Sequence, residues 1–299
     1  MVSQIRRAHQ ARLDAAGRAL ITHVTTVDST NRALADAWRS NPGLPTWRTI
    51  VAEHQTGGRG RYDRTWVDAP GHCLLFSTLV RIPAPFLSWV SALAGMASVR
   101  AAAAVGYEAG LKWPNDLIVR GRKVGGILAE HLGTSGGAEA HGKDREDGSW
   151  GVDTVVVGVG INGDVTPSDA GAIAGCLVED EYGPIDRDAL LEALLRAYRD
   201  LVAPAFVVAS AHATGRPTAS MDFDLRQRWR TEYERALTGR GEVVDIALAD
   251  GSHRSGRVRG IDLDSALVVA NGLTTHTVTC GDVSLPQTDH SDSGAGKGR

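Results

Sequence analysis

Cysteine is scarce in this sequence: three residues, Cys73, Cys176 and Cys280, lie far apart in a chain of 299. An odd, dispersed set argues against a disulfide framework and against a zinc knuckle, both of which need paired or closely spaced thiols. It suits the reducing cytosol. Aromatic side chains are also few, at 5%. No apolar run approaches the ~20 residues that a membrane-spanning helix requires. Met1 to Ala11 carries Arg6 and Arg7 with no apolar stretch behind them, so neither a membrane association nor a secretory leader is expected. A surplus of one charge is missing as well: 32 basic side chains stand against 35 acidic ones, a formal net charge of −3. Binding duplex DNA through its phosphates normally demands a clustered basic excess, so no DNA partner is expected.

What the sequence has is glycine, 35 residues of it, and an ordinary 42% of hydrophobic residues. The length suffices for one sizeable core plus a smaller appended domain. Asp28, Ser29 and Thr30 are good N-cap residues ahead of an alanine-rich run that favours helix. Thr49 to Ala52 reads as a buried strand, Glu53 to Gly71 as a polar glycine-rich loop, and Cys73 to Ile82 as a second strand. Phe86, Trp89, Val90, Leu93, Met96 and Ala97 recur at helical spacing, which predicts a helix over Phe86 to Val105. Strands follow at Asp116 to Val119 and Lys123 to Glu130, joined by a tight turn at Arg120-Gly121-Arg122. Gly133 to Trp150 has no periodicity and is expected to be a mobile loop, whereas the β-branched run Asp153 to Ile161 is a central strand. Leu190, Leu191, Leu194, Leu195, Tyr198 and Leu201 mark another amphipathic helix. Ala205 to Ser220 gives no clear signal. From Glu242 to Leu285, short strands with turn signals at Asp250-Gly251 and Asn271-Gly272 predict a small β-barrel or sandwich. The fold class expected is α+β, and the organisation is 1–238 as a catalytic domain, 239–286 as a C-terminal β domain and 287–299 as a disordered tail. No internal repeat or Rossmann fingerprint is present.

Three stretches could carry chemistry. Gln55-Thr56-Gly57-Gly58-Arg59-Gly60-Arg61-Tyr62-Asp63-Arg64 combines glycines, which let backbone N–H groups approach an anion, with arginines, which are permanently charged bidentate donors. It lacks the Gly-Lys-Ser/Thr of a Walker loop, and on composition alone a solvated surface loop explains it equally well. Lys112-Trp113-Pro114-Asn115-Asp116 is followed by Lys123-Val124-Gly125-Gly126. Pro114 stiffens the turn, which leaves Asn115 and Asp116 at the start of a strand as a metal or ribose site, and the two glycines allow a ligand close to the backbone beside Lys123. By itself such a lysine is more often a solvated charge. The run Val155-Val156-Val157 into Gly158-Val159-Gly160-Ile161-Asn162 reads as a strand ending in small residues and an amide.

In this order, "STN" at Ser29 to Asn31, "GRGR" at Gly58 to Arg61, "KWPND" at Lys112 to Asp116, "RKVGGIL" at Arg122 to Leu128 and "GVGIN" at Gly158 to Asn162 resemble the bacterial biotin–protein ligases. The resemblance covers most of the chain. It implies a class II synthetase-like, lipoate-ligase-like catalytic core, a mixed sheet with packed helices, plus a small C-terminal SH3-like β-barrel. It also implies a two-step reaction: ATP and biotin give biotinyl-5′-AMP, and a lysine of a biotin carboxyl carrier protein domain of an acyl-CoA carboxylase then takes the biotinyl group. The residues the resemblance assigns to biotin are Ser29, Thr30, Asn31, Gln55, Arg59, Gly60, Arg61 and Lys123. Those it assigns to ATP are Gly58, Arg59, Gly60, Arg61, Arg64, Lys112, Asn115, Asp116 and Asn162. Lys123, Arg59 and Arg61 are the expected catalytic residues, and Asp116 the expected contact for Mg²⁺. Cys73 is expected in the core and not as a nucleophile.

Asp63 departs from the family's usual glycine at that loop position; an aspartate tolerates a left-handed turn but adds negative charge near the phosphates. Only 28 residues precede Ser29, too few for the winged helix-turn-helix of the family's regulatory members, so a cytoplasmic ligase without repressor activity is expected, monomeric or weakly dimeric. Two other readings remain: a lipoate-attaching acyltransferase of the related type, and a non-enzymatic biotin-responsive regulator.

Overall fold

The computed structural model describes residues 20–134, 148–169, 171, 173–178 and 184–285. The expected disordered tail and most of the expected mobile loop after Gly133 lie outside the described residues.

Seven strands form a mixed sheet. β1 (Ile21–Val27) runs parallel to β2 (Thr49–Gln55), with α1 (Thr30–Ser40) as the crossover between them. The rest of the sheet is antiparallel: β2 pairs with β3 (Cys73–Pro83), β3 with β7 (Val152–Asn162), β7 with β6 (Arg122–Thr134), β6 with β5 (Asp116–Val119), and β5 with β4 (Gly110–Lys112). β3 is buried at every position but Arg81, as expected of a strand covered on both faces. Alternation along β7 places its even-numbered residues on one face: Val156 packs with Leu34 of α1, and Gly158, Gly160 and Asn162 continue along that face toward the end of the strand.

Three helices cover the opposite face: α2 (Val90–Ala104), α3 (Arg187–Ala213) and α4 (Ala219–Ala236). The helix expected over Phe86 to Val105 is divided. Ala84–Trp89 is a 3₁₀ turn, with Pro85 in its first positions, and the α-helix begins only at Val90. The 21-residue stretch Ala84–Ala104 is also long and apolar enough to cross a membrane by length and composition, which corrects the expectation that no such run exists; 67% of its 18-residue apolar window is buried inside the protein. Asp186 caps α3, accepting from the N–H groups of Asp188 and Ala189 at 3.1 and 2.9 Å. α3 continues well past Leu201 to Ala213, so much of the stretch without a sequence signal is helix. Phe86, Trp89 and Trp229 meet at ring separations of 5.4–5.5 Å, and truncating any of them would cost about 3–5 kcal/mol.

The C-terminal segment is a five-stranded antiparallel sheet of β8 (Val243–Ala247), β9 (His253–Ile261), β10 (Leu267–Asn271), β11 (Thr274–Val278) and β12 (Asp282–Ser284), in the order β11-β10-β9-β8-β12. Gly251 and Gly272 take positive φ at the two expected hairpin turns. The hydrophobic core runs without a break from the main sheet into Val244, Ile246 and Val258. Two indole N–H groups tie the parts together: Trp89 Nε1 donates to Leu263 O at 2.8 Å and Trp113 Nε1 to Ser265 O at 3.0 Å.

Candidate active site

A cavity of about 420 Å³ opens where α1, the glycine loop, the turn before β5, and the ends of β6 and β7 converge. Its deep end is built on the start of α1. Ser29 occupies the N-cap position, but its side chain makes no capping bond. Gln55 supplies the cap from β2, its Oε1 accepting from Thr30 N at 2.8 Å and Thr30 Oγ1 at 3.0 Å. With that oxygen engaged, the amide N–H groups are what Gln55 can offer a ligand. Asn31 is anchored more firmly still. Its Oδ1 accepts from Ser77 Oγ at 2.6 Å, and its Nδ2 donates to Glu130 Oε2 at 2.6 Å and Leu128 O at 3.2 Å. Ser77 Oγ also lies 2.7 Å from Thr30 Oγ1, so three buried polar residues form one chain of contacts that share the two hydroxyl protons.

The floor explains the glycines of β7. A Cβ at Gly158 would lie 2.2 Å from Asn31 Oδ1, and one at Gly160 would lie 2.7 Å from the Trp66 indole. Larger residues would push out the side chains that shape the pocket. Trp66 Nε1 is buried without a hydrogen-bond acceptor among the described residues.

The glycine loop folds as a narrow hairpin, with Gly60 N donating to Arg64 O and Trp66 N to Gly58 O at 2.6 and 2.9 Å. Its tip holds Tyr62 and Asp63 at φ 54° and 56°, so Asp63 does take the left-handed conformation. The three arginines are each tied to a carboxylate. Arg59 Nη2 meets Glu130 Oε1 at 2.6 Å. Arg61 Nη1 meets Asp282 Oδ1 at 3.1 Å and Gly281 O at 3.0 Å, and Arg64 also pairs with Asp282. Tyr62 lies beneath the Arg61 guanidinium, 4.8 Å from its ring centre, and contacts the Cys280 thiol at 3.0 Å. That hydrogen bond and partial burial push the Tyr62 phenol up from its ordinary pKa.

Across the cavity, Asp116 receives two ammonium groups, Lys123 Nζ at 2.6 Å and Lys112 Nζ at 3.2 Å. Lys123 Nζ also sits 5.9 Å from the centre of the Trp66 ring. Asn115, which follows a cis Trp113–Pro114 bond, donates to Ile127 O at 2.9 Å. Asn162 donates to Gly175 O at 2.9 Å and accepts from the Cys73 thiol at 3.7 Å. Burial pushes that thiol up to about 11, which leaves it protonated at neutral pH and poor as a nucleophile. Its place in the core agrees with the sequence reading.

The structure thus brings Ser29, Thr30, Asn31, Gln55, Arg59, Gly60, Arg61, Arg64, Lys112, Asn115, Asp116, Lys123 and Asn162 to one cavity. Gly58 is not on its wall but holds Trp66 through the hairpin. Sequence reasoning did not find Ser77, Glu130 or Asp282, each separated from its partner by a long stretch of chain, nor Trp66, which stands two residues past Arg64. Five cationic side chains line the cavity against three aspartates, Asp116, Asp169 and Asp282, an arrangement that favours an anionic ligand.

The family model described as the biotin/lipoate A/B protein ligase family matches residues 24–142. The biotin–[acetyl-CoA-carboxylase] ligase of Mycobacterium tuberculosis is 30% identical over 241 residues, 78% of this chain and 77% of that protein. That of Paracoccus denitrificans is 32% identical over 253 residues, 81% of this chain and 90% of that protein. The chain belongs to the biotin–protein ligase family. It is therefore an enzyme, and the sequence resemblance identified the family correctly. The biotin protein ligase of Aquifex aeolicus, solved in complex with biotin and ATP, shares the fold at a TM-score of 0.65 and 21% identity, covering 90% of this chain and 99% of that one. The α+β core and small C-terminal β-sheet are accordingly the family's architecture.

Proposed function

We propose that this enzyme activates the carboxylate of biotin with ATP and passes the biotinyl group to a lysine of a biotin carboxyl carrier protein domain. The carboxylate oxygen attacks the α-phosphorus, the bond to the bridging oxygen breaks, and pyrophosphate leaves with both electrons of that bond. The carrier amine then attacks the acyl carbon of biotinyl-5′-AMP and expels AMP, the amine proton passing to solvent. The observation that carries this reading is the convergence of three loop arginines and two lysines on one cavity whose far end is a rigid neutral hydrogen-bonding network.

Two mutually repelling anions must meet, and fixed cations lower that barrier without reorganising. In this reading Lys123 exchanges Asp116 for the biotin carboxylate, and Arg59 and Arg61 take the α-phosphate from the hairpin that Gly58 and Gly60 keep narrow. Arg64 takes the outer phosphates, while Lys112, Asn115 and Asn162 surround the nucleotide. Ser29, Thr30 and Gln55 face the ureido ring; Asn31, already saturated by Ser77, Leu128 and Glu130, shapes that end of the pocket from behind. The orphaned Trp66 Nε1–H suits an acceptor oxygen of the ligand.

A protein-held Mg²⁺ does not fit the residues present. Asp116 already carries two ammonium groups, and no cluster of three or more metal-binding side chains exists among the described residues. Magnesium enters here only as part of the substrate Mg-ATP.

The test is mass spectrometry of a purified carrier domain incubated with the enzyme and Mg-ATP, with biotin in one arm and lipoate in the other. One added biotinyl group on one lysine is expected. Lipoyl addition in its place would favour the lipoate-attaching relatives that share the family model, and no addition in either arm would defeat the assignment.

A further inference from the structure

We propose that Glu130 is a positioning residue that fixes Arg59 against the vitamin end of the pocket and so sets how long the adenylate is retained; this rests on the ligase reading above. Glu130 uses both carboxylate oxygens in opposite directions. Oε1 accepts from Arg59 Nη2 and Oε2 from Asn31 Nδ2, each at 2.6 Å. Asn31 is 4% exposed, is held by Ser77 and Leu128, and forms part of the network that shapes the pocket behind Thr30. A continuous line of charge-assisted and neutral hydrogen bonds therefore runs from the glycine loop into the buried interior.

A half-exposed arginine–glutamate pair is ordinarily worth little, because each side chain swings and water screens the charges. This pair differs in that the position of the carboxylate is dictated by a buried amide, so Arg59 has a fixed docking point. The strand gives the placement directly. Gly126, Leu128 and Glu130 alternate onto one face of β6. Gly126 lies beneath Trp66, Leu128 O receives Asn31, and Glu130 receives Arg59 at the end of that row. Holding Arg59 there confines a side chain that would otherwise sample many rotamers above a glycine-rich backbone, an entropy cost met before ligand binds. The same pairing could instead make Glu130 a competitor that a phosphate must displace; the two ideas predict opposite signs.

The experiment measures the rate of biotinyl-adenylate release from the full-length enzyme in wild type, Glu130→Gln, Arg59→Ala and the double variant, with melting temperature and ATP affinity alongside. Glutamine is isosteric, but its one oxygen cannot serve both Arg59 and Asn31. Release about tenfold faster in Glu130→Gln is expected, from the loss of a charge-assisted hydrogen bond. In the Arg59→Ala background the same change should accelerate release no further and weaken ATP binding no further, while melting temperature stays near wild type. Equal acceleration in both backgrounds would reduce Glu130 to a structural residue, and slower release would make it a competitor; either overturns the proposal. Should Glu130→Gln not fold, Glu130→Asp, which keeps the charge but shortens its reach, enters the same cycle with the same expected order. Wild-type enzyme that makes no adenylate would overturn the ligase reading itself, whereas adenylate released equally fast by wild type and Glu130→Gln overturns this inference alone.

Discussion

Lys123 and Cys73 both sit beside the same cavity, yet their surroundings give them opposite characters. Lys123 is 30% exposed and shares Asp116 with Lys112, so its removal leaves that carboxylate paired. Lys123→Ala should keep the melting temperature within a few degrees of wild type and slow adenylate formation by roughly a hundredfold or more. Single-turnover formation of adenylate checks this, and wild-type turnover would remove Lys123 from its role. Cys73 is sealed between Ala69 and Asn162, its thiol pushed from an ordinary 9.0 to about 11 by burial. In that window the folded protein binds a proton that the unfolded chain has released, so stability must fall as pH rises from about 9 to about 11. Chemical denaturation of wild type and Cys73→Ser across this range should show their difference changing with pH; a flat difference would contradict the burial argument. Four of the five residue motifs were legible in sequence because each combines a polar or charged side chain with a glycine or proline; Ser29-Thr30-Asn31 stood out only in their company. Glu130 and Ser77 were not, since a single acid or hydroxyl in a strand carries no such mark.

Elements were legible where burial is one-sided or complete. β3, β5 and β7 announce themselves as apolar runs, and their observed limits differ from the reading by a residue or so. β1 was missed because Ile21-Thr22-His23-Val24-Thr25-Thr26 is an edge strand with threonines on both faces and little buried surface. α4 was missed because it is mostly polar; only Leu225, Trp229 and Tyr233 of its apolar residues are fully buried, one per turn. The small residues of β7 looked like an ordinary strand end and acquire meaning only with Trp66 above them. Gly160→Ala should drive the indole off the floor of the pocket, weakening biotin binding about tenfold while costing ~1–3 kcal/mol of stability through overpacking. Titration of intrinsic tryptophan fluorescence with biotin measures the first and thermal melting the second. Unchanged affinity would mean that Trp66 does not shape the site.

For the molecule as a whole, the glycine loop belongs to two parts of the chain. Arg61 and Arg64 converge on Asp282, more than two hundred residues away, and Tyr62 rests on Cys280. No pattern in a single sequence could have joined these residues, because the contact is made only when the C-terminal sheet docks through Trp89 and Trp113. The appended sheet therefore holds the loop arginines through Asp282. Asp282→Asn should expose the loop: trypsin should cut after its arginines several times faster than in wild type, and biotin with Mg-ATP should slow cleavage in both. Equal cleavage of the two free proteins would show that the sheet does not hold the loop.

In the proposed reaction one cavity gathers fixed positive charge so that a vitamin acid and a nucleotide can react despite their repulsion. Chromatographic detection of biotinyl-5′-AMP, after the enzyme meets biotin and ATP labelled at the α-phosphate, tests this. Labelled adenylate is predicted only when biotin is present, and much reduced in Arg61→Ala and Lys123→Ala. Adenylate formed as well by both variants as by wild type, or none formed by wild type, would contradict it.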